Sequence, residues 1–140
     1  MPYRPLEHTA DVGFEVTAPT LAELYAEAVP AFTASFTDVS RVDERLEREI
    51  TVAAPDREAL LVDWLGELLA AFAVDGLLLR SARVRLAETA SGLELAATAR
   101  GEPYDPARHP LAVEVKAVTY HGLAVEETGT GFRACVILDI

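Results

Sequence analysis

The stretch that decides the fold lies at residues 55–76 and reads PDREALLVDWLGELLAAFAVDG. Its apolar side chains recur every three to four residues, which is the spacing of one face of an α-helix. Pro55 and Asp56 are typical of a helix start, and Gly76 is typical of a helix end. The stretch therefore predicts a long amphipathic helix. Its apolar face consists of Leu60, Leu61, Trp64, Leu65, Leu68, Leu69 and Phe72.

Two strand patterns lie upstream of this helix. In DVGFEVTA at 11–18, the side chains of Val12, Phe14 and Val16 alternate with polar or small ones, as in a half-buried strand. RLEREITVAA at 45–54 has a similar strand-like composition. Both stretches are predicted to form strands.

A second helix is predicted between those strands. Thr20 and Glu23 have the spacing of a capping box, in which each side chain satisfies a backbone amide of the first helical turn. Pro30 is expected to kink or end the helix. Its apolar face consists of Leu21, Leu24, Tyr25, Ala28 and Phe32.

Downstream of Gly76 the sequence favours strands only. The predicted strands are 77–87, 93–100, 111–120, 121–127 and 132–139, while GEPYDPARHP at 101–110 is too rich in proline for regular structure. Consecutive strands joined by short turns pair antiparallel. We therefore expect an α+β fold in which two amphipathic helices pack on a mostly antiparallel β-sheet of about six strands, as a two-layer single domain over residues 1–140.

The composition limits the classes of partner and location. Lysine and arginine number 12 against 23 aspartates and glutamates, giving a net charge of −11, so direct binding of nucleic acid is disfavoured. No apolar run is long enough for a membrane span, and the first residues do not resemble a signal peptide, which favours a soluble protein in the cytoplasm. The single cysteine, Cys135, excludes an internal disulfide and is expected to pack in the core.

Two acids stand out because they lie at the ends of strand-like segments. Asp11 begins the strand at 11–18, and Asp139 is followed by Ile140 and the terminal carboxylate. If the first and last of these strands are neighbours, three carboxylates converge and a divalent cation such as Ca²⁺ or Mg²⁺ would neutralise them. The alternative, which spacing alone favours, is that Asp139 accepts hydrogen bonds at a sheet edge and Asp11 caps a turn.

Histidine and lysine give weaker signals. His8, His109 and His121 lack the spacing of a zinc site, and each is expected to make hydrogen bonds in a loop or at a strand end. Lys116 either forms a surface pair with Glu114 or acts as a fixed cation near a phosphate or the acids, with His121 on the same polar surface. The sequence contains no P-loop, G-x-G-x-x-G, G-x-S-x-G or H-E-x-x-H motif.

Five stretches taken together resemble the archease family. They are EHTADVGFEV at 7–16, LVDWLGELL at 61–69, GEPYDPARHP at 101–110, VKAVTYHGL at 115–123 and VILDI at 136–140. Their order and spacing fit that family across nearly the whole chain. Two positions depart from its usual pattern, because Gly66 stands where asparagine is expected and Phe132 where tryptophan is frequent.

The resemblance implies an accessory protein and not an enzyme. Archease-like proteins activate the RtcB-type RNA ligase of tRNA splicing, by promoting its guanylylation and multiple turnover and broadening the nucleoside triphosphates it accepts. The implied metal site consists of Asp11, Asp139 and the terminal carboxylate of Ile140. Calcium is the expected occupant, with magnesium or manganese as alternatives. Lys116 is the implied functional residue beside it, with His121 as a second candidate.

Two other functions fit the same residues. One is a chaperone-like modulator of nucleic-acid-processing proteins, which suits a sheet that two helices cover only in part. The other is a freestanding metal-dependent hydrolase that uses the same acids, although the sequence shows no nucleophile paired with a base.

Overall fold

Both helices begin where the sequence places their caps. In the computed structural model, which describes residues 2–8 and 11–140, helix α1 is Leu21–Ala34 and helix α2 is Arg57–Asp75. Thr20 Oγ1 accepts a hydrogen bond from the backbone N–H of Glu23 at 3.2 Å, as the capping box predicts. Helix α2 ends at Gly76, whose φ of +64° is the left-handed conformation that glycine adopts without strain.

Pro30 does not end α1. The helix continues for one more turn to Ala34, and Ala31, Phe32 and Thr33 in that turn are all buried. Their burial offsets the backbone hydrogen bond that proline cannot donate.

Seven strands within the described residues form two antiparallel sheets. The four-stranded sheet has the order β1-β2-β7-β6, and the three-stranded sheet has the order β3-β5-β4. The strands are β1 Tyr3–His8, β2 Asp11–Ala18, β3 Leu46–Ala54, β4 Leu77–Thr89, β5 Gly92–Pro103, β6 Ala117–Thr128 and β7 Gly131–Asp139. A short 3₁₀ helix spans Val39–Arg41.

The α+β class is confirmed, while the number of strands and sheets differs from the expectation of one sheet of about six strands. Strand β1 was not predicted because its sequence, YRPLEH, has no regular alternation of apolar and polar residues. The division into two sheets depends on which distant strands pair, and local patterns do not specify this.

Two boundaries in the second half also differ. The strands predicted at 111–120 and 121–127 are a single strand, β6, with a register shift between Thr119 and Ala124, and residues 111–116 lie outside it. Gly122 lies in that irregular part with a φ of +68°. Strand β5 extends through Gly101 to Pro103, so the irregular stretch begins later than predicted.

The helices pack on both sheets and share one core with them. Helix α1 contacts β2 and β4, and helix α2 contacts β3 and β6. At the centre, the indole N–H of Trp64 donates to the carbonyl of Tyr25 at 2.9 Å, and the hydroxyl of Tyr25 donates to the carbonyl of Arg57 at 2.8 Å. These two bonds tie α1 to α2. Among the described residues, no helix is both long and apolar enough to cross a membrane.

Candidate functional site

The pairing of β2 with β7 brings Asp11 and Asp139 to facing positions. Their Cα atoms are direct partners in the antiparallel register, next to the pair Val12 and Leu138. Phe14, a buried residue of β2, fixes this register, because a shift by one residue would move the apolar side chains of the strand to the other face. The strands that carry the two acids are therefore neighbours, as the convergence of carboxylates requires.

Lys116 lies on the other side of Asp139. Ala117 is the partner of Asp139 in β6, and the backbone N–H of Lys116 donates to the carbonyl of Asp139 at 2.8 Å. The side chain of Lys116 is exposed. Asp139 is thus flanked by Asp11 on β2 and by Lys116, whose backbone is held at this end of the sheet.

The expected surface pair of Glu114 and Lys116 does not form between the described side chains. Neither residue takes part in a salt bridge there. The alternation in LAVEVK suggested a strand, but Lys116 lies just before β6 begins. The backbone of Lys116 lies beside that of Asp139, and the role of its side chain as a fixed cation beside the acids stays a prediction.

The register separates His121 from the acids. Ala117 pairs with Asp139 and Thr119 pairs with Ile137, so His121 lies farther along β6, in its irregular part. The backbone N–H of His121 donates to Thr119 Oγ1 at 2.9 Å, and its side chain is exposed. His8, in contrast, is the backbone partner of Asp11 in β1, a neighbourhood that sequence spacing did not indicate. The hydrogen-bonding role expected of the His8 side chain lies outside the described part of the chain.

The chemistry of this end of the sheet suits a hard cation. Asp139 is exposed, Ile140 is partly buried, and Asp11 is described by its backbone alone. Carboxylate oxygens are the ligands that calcium and magnesium prefer, and negative groups held together favour a cation between them. Within the side chains that the structure describes, which do not include Asp11, no three histidine, cysteine, aspartate or glutamate groups come close enough to hold a metal ion.

A buried ionic cluster that sequence reasoning missed lies in the irregular stretch after β5. Glu102 is 1% exposed, and one of its oxygens accepts from the backbone N–H of Asp43 at 2.8 Å. Arg108 donates to the other oxygen at 2.7 Å, and Arg45 lies 3.5 Å from it. Burial raises the pKa of the Glu102 carboxyl, but these donors and His109 outweigh burial and leave the pKa at about 2.

His109 completes this cluster in its neutral form. Its Nδ1 accepts the backbone N–H of Asp105 at 2.9 Å, so the proton is on Nε2, which donates to Glu102 at 3.0 Å. The expectation that His109 makes hydrogen bonds in a loop is confirmed. Next to it, Thr37 Oγ1 donates to the carbonyl of Pro110 at 2.7 Å. The cluster therefore anchors the chain directly before residues 111–116.

Cys135 is not a core residue. Along β7 the side chains of Ala134 and Val136 face the core, so Cys135 between them faces outward and is only partly buried. Its Sγ lies 3.7 Å from Oε2 of Glu15. Partial burial and the negative charge of Glu15 raise the pKa of this thiol. The residue was assigned to the core because its neighbours in sequence are apolar.

Known proteins with a similar sequence or fold match nearly the whole chain. Residues 3–140 match the family model described as the Archease protein family (MTH1598/TM1083). "Protein archease" of Methanosarcina acetivorans is 41% identical over 99% of this chain and 95% of its own length, and that of Methanopyrus kandleri is 40% identical over the whole of both chains. The solution structure of protein 1598 from Methanobacterium thermoautotrophicum, 35% identical, superposes with a TM-score of 0.83 over 99% of both chains. The chain therefore belongs to the archease family.

Proposed function

We propose that the protein is an accessory activator of an RtcB-type RNA ligase in tRNA splicing and RNA repair, acting in the cytoplasm and catalysing no reaction of its own. It promotes guanylylation of the ligase and its multiple turnover, and broadens the nucleoside triphosphates that the ligase uses. Membership of the archease family supports the accessory role. The observation that carries the proposal is the register that sets Asp11 opposite Asp139 and holds the backbone of Lys116 beside them.

In this proposal a divalent cation binds at that end of the sheet. The carboxylates of Asp11 and Asp139 and the terminal carboxylate of Ile140 are its ligands, and calcium is the expected ion, with magnesium or manganese as alternatives. The bound ion supplies positive charge beside the triphosphate of the nucleotide. The donor set fits a hard cation because all of its atoms are carboxylate oxygens.

The strands and charges around the proposed ligands suit this end of the sheet for contact with a ligase. Strand β7 lies between β2 and β6, so the end of the strand that carries Asp139 has a paired strand on each side. Lys116 adds a second, fixed positive charge that can contact a phosphate group. The net charge of −11 favours docking on the basic surface with which a ligase handles RNA.

The test is RNA joining with the ligase limiting and GTP and a divalent metal present. The wild-type protein should raise conversion above one product per ligase molecule. Asp139→Asn and Lys116→Ala should abolish that gain, while Glu88→Gln, which alters an exposed acid on β4, should preserve it. Undiminished turnover with Asp139→Asn would refute the role of the acid.

A second test addresses the metal ligands directly. Calorimetry should show weaker calcium binding when residues are appended after Ile140, because the terminal carboxylate is then lost as a ligand. The same residues appended before Met1 should have no such effect. Equal affinity of both fusions would exclude the terminal carboxylate as a ligand. If ligation itself is not stimulated, assays of phosphate-ester hydrolysis and of aggregation of unrelated proteins examine the hydrolase and chaperone alternatives.

A further inference from the structure

An open groove of about 720 Å³ lies between α2 and the chain that precedes β6. Leu69, Phe72 and Ala73 of α2 line one side together with Phe36, and residues 111–116 line the other. The rings of Phe36 and Phe72 are in contact, with centroids 5.1 Å apart. The groove is thus an apolar surface with a rigid wall, and its volume is in the range of about 300–1,000 Å³ that is typical of binding sites.

Leu111 forms a single antiparallel bridge with Thr37, and residues 112–116 after it resemble a strand that has no paired strand among the described residues. Val113 and Val115 pack against the core, while Ala112, Glu114 and Lys116 are exposed, an alternation typical of strands. The backbone N–H of Ala112 donates to the carbonyl of Phe36 at 2.9 Å, and that of Lys116 donates to Asp139. Between these two bonds, the backbone groups of residues 113–115 make no hydrogen bond to any part of the chain that the structure describes.

The register of β6 with β7 explains why these groups are unpaired. Asp139, the last residue of β7, is opposite Ala117, so residues 113–115 lie beyond the end of that partner strand. Helix α2 lies across the groove and offers side chains, not backbone groups, because the amides of its interior are bonded within the helix. On its other edge β6 has no neighbour among the described strands, because it is the last in the order β1-β2-β7-β6. As far as the structure describes the chain, the donors and acceptors of residues 113–115 are therefore left to water or to another molecule.

Alternating backbone donors and acceptors are matched by the backbone of an extended polypeptide. An added strand would pair with them and insert every second side chain into the apolar groove, whereas a small apolar ligand would leave them unpaired. The negative charge of this protein favours a partner segment with basic residues, including one opposite Glu114. The groove ends at Lys116, next to Asp139, so its occupant lies beside the candidate metal site.

We propose that residues 112–116 bind an extended segment of the partner ligase, which adds as a strand and places alternate apolar side chains in the groove. Naming the ligase rests on the proposed function. Strand addition at this segment fixes the ligase against the end of the sheet that carries Asp11 and Asp139.

Hydrogen–deuterium exchange of the full-length protein tests the proposal without any substitution. Successive N–H groups of a strand point to opposite edges, and those of Ala112 and Lys116 already bond within the chain, so an added strand pairs with the edge of Val113 and Val115. The amides of Val113 and Val115 should therefore exchange at least tenfold more slowly when the purified RtcB-type ligase is added in excess. Turnover of RNA joining is measured on the same samples. Protection at Val113 and Val115 supports strand addition, even where turnover is unchanged and the activator function fails. Stimulated turnover with unchanged exchange overturns strand addition and leaves the activator function intact.

Two further outcomes would overturn the proposed strand addition or its assignment to the ligase. If neither exchange nor turnover changes with the ligase, both the strand addition and the activator function are overturned. If protection at Val113 and Val115 grows with the concentration of this protein alone, the occupant is a second copy of the chain, and the assignment to the ligase is wrong.

Substitutions give an independent measurement of affinity. Val113→Pro removes one N–H group of the edge that pairs with the added strand, whereas Val113→Ala truncates the same side chain and retains that N–H. The ligase should bind Val113→Pro at least tenfold more weakly than Val113→Ala. Leu111→Asp places a charge in the groove and should weaken binding similarly. Leu46→Asp is its matched control, because both leucines are 46% exposed and Leu46 lies on β3, outside the groove. Equal affinities for Val113→Pro and Val113→Ala would overturn the proposal.

Discussion

Replacing Glu102 by glutamine should destabilise the fold in a way that depends on pH. The carboxyl group is 1% exposed, and its pKa is lowered from an ordinary 4.5 to about 2. At about 1.4 kcal/mol for each pH unit, the charged form contributes about 3 kcal/mol to the free energy of unfolding. Water screens part of this interaction, since Arg108 and Arg45 are 41% and 61% exposed, so about 3 kcal/mol is an upper value.

The sign follows from the lowered pKa. Because the folded state holds the proton less tightly than the unfolded state, the stabilisation is complete above about pH 5 and is lost as the pH falls towards 2. More than half of it is gone by pH 3. At pH 7 the free energy of unfolding of Glu102→Gln should be lower than that of the wild type by up to about 3 kcal/mol. The charge is removed, and the amide has only one oxygen to accept from Asp43, Arg108 and His109.

Urea denaturation at pH 7 and pH 3 measures this difference. The difference in the free energy of unfolding between wild type and Glu102→Gln should shrink by more than half at pH 3. At that pH the carboxyl group is protonated in the unfolded wild type but still mostly charged in the folded state, so the lowered pKa stabilises the fold less. Glu47→Gln is the matched control, since the salt bridge of Glu47 with Arg100 is exposed and its loss should cost under about 1 kcal/mol at either pH. A difference for Glu102→Gln that is the same at both pH values would show that the charge is not what stabilises the cluster.

Three further predictions concern residues outside the candidate site. Gly66→Ala should raise the free energy of unfolding by about 0.5–1 kcal/mol, because alanine favours a helix more than glycine does and the added Cβ meets no atom within 4 Å. A loss of stability in urea would contradict this. Tyr25→Phe should lower the free energy of unfolding by about 1 kcal/mol, because the hydrogen bond from its hydroxyl to the carbonyl of Arg57 is lost. Thermal melting that matches the wild type would count against that bond. Cys135 should react slowly with iodoacetamide at pH 8, because the pKa of its thiol is raised above the ordinary value. The reaction should be faster in Glu15→Gln, and identical rates would show that Glu15 does not raise this pKa.

The helices were predictable because their determinants are local. The caps Thr20 and Asp56 and the C-terminal Gly76 lie within one turn of the residues they stabilise, so sequence spacing is enough to identify them. Strand partners are different. The assignment of strands to two sheets depends on pairs such as Asp11 with Asp139, which are far apart in sequence. Residues 112–116 have the alternation of a strand, but none of the described strands pairs with them.

The candidate site was predictable in part. Asp11 and Asp139 were identified from their positions at strand ends and from the family resemblance, and the register brings their backbones together. Their role as metal ligands remains a prediction. The cluster of Glu102 with His109 was missed because a glutamate in a proline-rich stretch is ordinarily exposed. Its burial depends on the chain after β5 folding back so that Arg108 and His109 reach the carboxylate.

The pairing of β2 with β7 also has a consequence for the order of folding. Strands β4 and β5 are adjacent in the chain and can pair early, whereas Asp11 and Asp139 meet only when a loop that contains most of the domain closes. We expect the end of the sheet that carries the two acids to form late. A nascent or truncated chain that lacks β7 cannot bring these acids together, even where its helices have formed. A partner that binds this end of the sheet therefore selects molecules in which β7 has already paired with β2.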